Sequence, residues 1–500
     1  MTDQEKLDLL SINTIRTLSI DAVQKARSGH PGTPMDAAPT VYSLWQCFLR
    51  YDPQDPNWAN RDRFVLSNGH ASAMLYSLLF LTGVKAASPS YQQADRLAVT
   101  LDDLKTFRQV DSRCPGHPEY GWTSGVEATT GPLGQGIATS VGMAIAERWL
   151  AATYNRPGYE LFNYNIYAMC GDGCLMEGIS SEAASLAGHL KLSNLCWIYD
   201  NNRVTIEGST SIAFTEDVAS RFLSYGWNVR RVSDANDLQM LGRAYQTFLS
   251  TVDRPTLIIV ESHIGYGAPH KQDRASAHGE PLGLDEVRLT KQFYGWNPDA
   301  EFYIPDGVQQ NFQDQIGHRG ARLHGLWNEQ FAAYRGHYPD LAHQIDCIQT
   351  GDLPDEWDVL RSFPPDAKGM ATRDSSGTTL NAIAEKVPWV LGGAADLSPS
   401  TKTHLNFESS GEFQPSGDAD YHGRNFHFGV REHAMCAIAN GMALSKLRPF
   451  ASSFFVFTDY CRAALRLSAL MELPVVYIWT HDSVSLGEDG PTHQPIEHLA

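Results

Sequence analysis

Residues 163–202 constrain this chain more than any other stretch. An apolar run, "NYNIYAM" (163–169), breaks at Gly171, Asp172 and Gly173, and a second run, "LCWIY" (195–199), breaks at Asn201 and Asn202. Between them Ile179, Ala183, Leu186 and Leu190 recur at helical spacing on one face. Two buried strands joined by a helix make a β-α-β unit with parallel strands. Both breaks then fall at carboxyl ends of strands, where open α/β sheets bind ligands. Glycine and aspartate form turns without any ligand, so Asp172 gains meaning only through Asn202 downstream.

The same pattern extends along the chain. "RFVLS" (63–67) and "PTLIIVES" (255–262) are further strands of a first α/β region. A polar, Pro- and Gly-rich connection follows, and a second α/β pattern begins near Ala371, with strands at "PWVLGG" (388–393), "NFHFGV" (425–430) and "PVVYIWT" (474–480). Five hundred residues exceed one ordinary core. The expected division is a domain at 1–325, a linker at 326–368 and a second domain at 369–500 that looks cut short.

Charge narrows the function. A formal net charge of −18 argues against nucleic acid as a partner, yet a few local Arg and His residues can hold a small anion. No apolar run approaches the ~20 residues of a membrane helix, and the acidic N-terminus lacks the pattern of a secretory signal. Eight scattered cysteines fit a reducing, cytoplasmic setting. Cys170 and Cys174 flank the Asp172 turn, but two cysteines without a partner pair make a poor zinc site.

Several constellations carry chemistry. Asp172 and Asn202 each offer an oxygen to a hard divalent cation, with a backbone carbonyl near Val204 as a third donor, and such a cation readily takes diphosphate oxygens. Glycines 131, 134 and 136 in "TTGPLGQGIATSVGMAIAE" (129–147) let backbone N–H groups approach an anion ahead of a helix. His30, His70, His117 and His278 each lie in a Gly- or Pro-containing turn, which suits a polar pocket for hydroxyls and proton transfer. Glu432 falls at a strand-to-helix junction, where the helix dipole should keep it anionic. Phe454, Phe457 and Tyr460, three apart, fall on one face of a helical turn. His481, Asp489 and His493 crowd a loop after "PVVYIW", a polarity that packing does not explain.

Taken together, "SGHPG", "GHPE", "GVEATTGPLGQG", "GDG…NN", "GGAADLSPS", "GVRE" and "THDSVSLGEDGPTHQP" resemble transketolase in order and spacing over nearly the whole chain. The resemblance implies a thiamine diphosphate-binding fold: a diphosphate- and metal-binding α/β domain (1–325), a pyrimidine-binding α/β domain (369–500), and a third C-terminal α/β domain absent from this segment. It implies Mg2+, with Ca2+ or Mn2+ as substitutes, held by Asp172, Asn202 and Val204. His70, Gly131, Pro132, Leu133, Gly173, Asn202 and His278 would line the cofactor; Phe454, Phe457 and Tyr460 would sandwich its pyrimidine, and Glu432 would hydrogen-bond a ring nitrogen. His30, His117, His278 and His493 would act on substrate hydroxyls and protons, Asp489 on the C2 hydroxyl, and Arg373, Ser400 and His481 on the terminal phosphate.

The implied reaction moves a two-carbon ketol unit from a ketose phosphate such as xylulose 5-phosphate to an aldose phosphate such as ribose 5-phosphate or erythrose 4-phosphate, through a cofactor ylid. Its setting would be the pentose phosphate pathway or Calvin cycle, and its assembly a homodimer with the active site at the subunit interface. The alternatives are a dihydroxyacetone synthase using formaldehyde and a catalytically silent transketolase-like binding protein. Three positions depart from the family pattern: Ala71 and Arg203, where glycine is frequent, and His433, where an aromatic is common.

Overall fold

The computed structural model describes residues 1–88, 91, 93, 95–355, 357–358, 363–415, 421–483, 485 and 487–499; linker residues 356 and 359–362, and 484 and 486 of the loop after "PVVYIW", lie outside the described residues. Two compact units divide the chain. The first comprises Met1–Ile137, Tyr164–Ala184 and Lys191–Asn328; the second comprises Ala138–Asn163, Ser185–Leu190 and Glu329–Ala500.

The first unit carries strands β1 (Arg63–Leu66), β2 (Ile166–Gly171), β3 (Leu195–Asn201), β4 (Asn228–Val232) and β5 (Thr256–Glu261), ordered β1-β2-β3-β5-β4. All pair in parallel. Parallel strands need covering on both faces, which is why β2, β3 and β5 are buried almost to their ends. The register sets Gly171 opposite Asp200. Asp172, one residue beyond that row, and Asn202, two beyond it and just past the end of β3, therefore leave the sheet from the same edge.

The helices Asp3–Ala26, Gly32–Cys47 and Ser72–Thr82 join this core, burying Leu18, Trp45 and Leu78. The first starts with a capping box in which Thr2 and Glu5 bond each other's backbone. Its buried Asp21 accepts from Lys291 Nζ at 2.5 Å and from the Phe302 N–H at 2.8 Å. That pair ties residues 291–302 to the first helix with every charge matched.

The second unit carries β6 (Val390–Ala394), β7 (Asn425–His427), β8 (Arg448–Phe454) and β9 (Val476–Thr480), ordered β7-β6-β8-β9 and parallel throughout. The helices His318–His337 and Pro339–Thr350 run through the stretch expected to connect two domains.

Two strands escape the sequence pattern. β4, "NVRRV", is an edge strand whose first four residues are only partly covered, so it shows no apolar run. β8, "RPFASSF", buries small Ala and Ser residues at the centre of its sheet. Missing β8 also misplaced the aromatics: Phe454 ends that strand, Phe457 closes the 3₁₀ turn Phe455–Phe457, and Tyr460 lies in the helix Thr458–Leu470. They share no helical face; three different elements bring them together.

In the second unit the helix Glu432–Leu444 crosses residues 138–154 of the helix Gln135–Tyr154 at Gly441 and Gly142. A Cβ on Gly142 would overlap the Ile438 carbonyl oxygen, and one on Gly441 the Thr139 carbonyl oxygen. Gly142→Ala should cost about 1–2 kcal/mol net, the overpacking term less the gain in helix propensity. A lower urea midpoint with unchanged slope would report this; an unchanged midpoint would show that the crossing relaxes freely.

Candidate functional site

Three turns meet at the carboxyl edge of the first sheet. Asp172 opens the short helix Asp172–Met176 after β2; it accepts from the Tyr199 hydroxyl and from the Arg203 N–H. Burial pushes its carboxyl up to about 6 against those bonds. Asn202 directs Nδ2 at Asp200 (2.9 Å) and Asp36 (3.2 Å), while its Oδ1 accepts from the Val204 N–H at 3.1 Å. Arg203, between them, has φ +62, the left-handed region that favours glycine.

The glycine turns pack on one another. A Cβ on Gly173 would lie 2.6 Å from Leu133 Cδ1, and one on Gly69 would lie 2.6 Å from Thr130 Oγ1 and 2.8 Å from the Gly131 nitrogen. Gly131 has φ +137, and a Cβ there would meet the His117 ring at 3.2 Å. Residues 69–71, 130–133 and 171–173 thus interlock only because glycine stands at these points. Pro132 is exposed at the tip of the middle turn. Ala71 is fully buried in the 3₁₀ turn Gly69–Ala71.

The four histidines gather. Ring centroids lie 4.9 Å apart for His70 and His278, 5.2 Å for His30 and His70, 5.6 Å for His30 and His278, and 6.2 Å for His30 and His117. Burial holds all four rings below their ordinary range. His30 falls to about 3, with His278, Arg108 and His117 adding repulsion; His70 lies well below, and His117 and His278 are also lowered. Such rings stay neutral near pH 7 and present both a donor and an acceptor nitrogen. His278 Nδ1 is buried and, among the described residues, has no hydrogen-bond partner.

In the second unit, Glu432 begins its helix and is buried, with Ser453 Oγ donating to Oε1 at 3.3 Å. Burial raises its carboxyl pKa, with its own backbone N–H and the Ser453 hydroxyl opposing the rise. The Phe454 ring stacks on His481 with centroids 3.8 Å apart and lies 5.8 Å from Phe457, nearly parallel. Phe457 also meets Tyr460 at 6.0 Å and His493 at 5.5 Å. Phe454 is buried and Phe457 half-buried, whereas Tyr460 is exposed. Arg373 Nη1 lies 3.2 Å from His481 Nε2, and Asp489 acts electrostatically on His481. Ser400 sits half-buried in the helix Ser398–Thr401, and among the described residues no hydrogen bond joins it to Arg373 or His481.

Sequence reasoning missed four residues. Arg108 approaches His30 Nδ1 at 3.3 Å and donates to Ser28 Oγ at 2.9 Å. Tyr199 bonds Asp172 from within an apolar strand, and Asp36 and Asp200 flank Asn202. Nothing local marks them; each is brought to the site by a remote segment or hidden in a buried element.

The donors suit a diphosphate carried on a divalent cation. Asp172 and Asn202 offer side-chain oxygens from adjoining strand ends, and the Leu133 side chain packs where a Cβ on Gly173 would stand. Residues 7–354 match the family described as transketolase, thiamine diphosphate binding domain, and residues 368–500 match transketolase, pyrimidine binding domain. Fold and site define a thiamine diphosphate-binding α/β protein. Transketolase of Geobacillus stearothermophilus is 53% identical over 495 residues, covering 99% of this chain and 71% of that protein. Transketolase of Bacillus subtilis is 49% identical over 497 residues, 99% of this chain and 72% of the other. A solved structure of Pichia stipitis transketolase in complex with sedoheptulose-7-phosphate superposes with a TM-score of 0.93 at 44% identity, covering 99% of this chain and 71% of that one. The chain belongs to the transketolase family.

The lowered His30 pKa has a consequence for stability. Between about 3 and the ordinary value near 6.5 the unfolded chain binds a proton that the folded His30 refuses. Stability from this group is therefore complete above 6.5 and falls as pH drops through that window. His30→Gln should make the acid-side loss of stability shallower, read as the difference in urea midpoints at pH 7 and pH 5; parallel profiles for both proteins would refute it.

Proposed function

We propose that this enzyme transfers a two-carbon ketol unit from a ketose phosphate, with xylulose 5-phosphate as donor, to an aldose phosphate acceptor, using thiamine diphosphate and Mg2+. The gathering of four neutral histidines beside the interlocked glycine turns carries the reading. Sugars are rows of hydroxyls, and neutral imidazoles donate and accept toward them without adding charge. Bound thiamine diphosphate supplies a thiazolium carbon that takes up the electrons released when the ketose C2–C3 bond breaks.

In this proposal Asp172, the Asn202 Oδ1 and the Val204 carbonyl hold the cation, and His70, residues 131–133, Gly173 and His278 hold the diphosphate side of the cofactor. Glu432 hydrogen-bonds a ring nitrogen of the aminopyrimidine through its buried carboxyl. Its place at a helix start, buried beside Ser453, supports that role. Phe454, Phe457 and Tyr460 flank the pyrimidine, with Phe457 and Tyr460 presenting the more open rings. His30 and His278 take the proton lost from the donor C3 hydroxyl. His117 and His493 hold the C1 hydroxyl and Asp489 the C2 hydroxyl. Arg373, Ser400 and His481 hold the terminal phosphate, supported by the Arg373–His481 contact.

A homodimer with its site at the subunit interface, the division at 1–325, 326–368 and 369–500, a place in the pentose phosphate pathway or Calvin cycle, and a cytoplasmic location belong to the same proposal. Among the described residues no helix is long and apolar enough to cross a membrane.

Transfer from xylulose 5-phosphate should be fast to ribose 5-phosphate and slow to formaldehyde; the reverse ranking would make the enzyme a dihydroxyacetone synthase, and no transfer a silent relative. Glu432→Ala should lower kcat by about 10²–10⁴-fold, the range of a lost proton-transfer group, while thiamine diphosphate binding stays measurable by calorimetry. Undiminished kcat would remove Glu432 from the mechanism. Arg373→Ala should raise KM for a phosphorylated donor by about 10-fold or more, as expected for a charge-assisted bond, and leave an unphosphorylated ketose nearly unaffected. Equal effects on both donors would contradict the phosphate role.

A further inference from the structure

We infer that Asp36, together with Asp200, is a positioning residue for Asn202, holding its amide so that only the oxygen is free for a cation. The inference rests on the proposed role of Asn202 as a metal ligand. A side-chain amide has one oxygen and one NH2 group, nearly equal in shape, and only the oxygen can ligate a hard cation. Both N–H donors of Asn202 are already committed, one to Asp200 Oδ2 at 2.9 Å and the other to Asp36 Oδ2 at 3.2 Å. A flipped amide would set its oxygen against two carboxylate oxygens, so the pair selects one orientation. Oδ1 is thereby turned the other way, toward the Val204 N–H.

The two acceptors reach the amide from different parts of the fold. Asp200 precedes Asn202 on β3 and is itself held by the Ser262 hydroxyl. Asp36 comes from the helix Gly32–Cys47, 166 residues upstream. Asp36 is 1% exposed and Asn202 9% exposed, and among the described residues Asp36 Oδ1 has no hydrogen-bond partner. Arg16, whose Nε donates to the neighbouring Met35 carbonyl at 2.7 Å, provides the nearby positive charge. Burying a carboxylate with one oxygen unpartnered opposes folding, and an apolar residue in that helix would pack without this cost. The carboxylate also accepts from the Ala37 N–H, and the side-chain amide that it holds is that of Asn202. Outer groups that orient metal ligands act in this way in metal sites generally.

The test uses the holoenzyme and reads the Mg2+ concentration needed for half-maximal tryptophan quenching at saturating thiamine diphosphate, alongside the melting temperature without cofactor. Asp36→Leu keeps the approximate shape and removes the acceptor; Asp36→Asn removes the same charge but keeps one acceptor oxygen. Asp36→Leu should raise the Mg2+ requirement about 10-fold or more, and Asp36→Asn should restore most of it. An unchanged requirement in Asp36→Leu, with Asn202→Leu and Asp172→Ala both impaired, would overturn the positioning role and leave the metal site standing. Equal loss in Asp36→Leu and Asp36→Asn would overturn it too, because charge and not orientation would then matter. If Asn202→Leu and Asp172→Ala bind Mg2+ normally, the metal site itself is refuted. Should Asp36→Leu fail to fold, Asp36→Ala is read against Asp36→Asn in the same way.

Discussion

The parallel pairing of β2 with β3 is the constraint on which the first unit's site depends. Gly171 opposite Asp200 is one row of a backbone ladder, yet it decides that Asp172 and Asn202 emerge side by side. Parallel strands need a crossover, and a right-handed crossover helix returns each strand to the same end. Every strand therefore delivers its following turn to one edge. β1 brings residues 69–71 to that edge, and Thr130 Oγ1 donates to the Leu66 carbonyl, which anchors the middle glycine turn there.

What the edge collects is polar and dry, and that combination sets its chemistry. Asp172 and Asp200 are pushed up to about 6 and 7 by burial, and Asp36 is raised as well. Burial lowers the four histidines. Acids that resist ionising and bases that resist protonation are both poised for a ligand. In the proposed function a cation would favour the anionic form of the acids, and substrate hydroxyls would meet neutral rings able to donate or accept. In the second unit burial likewise raises the Glu432 carboxyl, against the opposing bond from Ser453.

Much of this was legible in the primary structure because it is local. Apolar runs ending in Gly-Asp-Gly and Asn-Asn announce strand ends, and glycines at 131, 134 and 136 announce a close approach; Gly69, which meets the middle turn, was not read from the sequence. The failures have a physical pattern. β4 lies at an edge and has polar residues where a buried strand would show apolar ones. β8 lies inside its sheet but is built of Ala and Ser, which carry little hydrophobic signal. The aromatic triplet had helical spacing by coincidence, since a strand end, a 3₁₀ turn and a helix divide it. Asp36 gave no sign because its partner lies 166 residues away.

The amino-acid order alone determined the α/β class, the strand-end turns, the side chains able to bind or move a proton, and the resemblance to transketolase. These depend on neighbours within a few positions, where periodicity and backbone preference act. Only the tertiary structure decided which carboxylates are buried, which way Asn202 faces, and that Arg108 stands against His30. Desolvation and hydrogen-bond direction depend on atoms that meet in space from remote parts of the chain, and no local pattern records them.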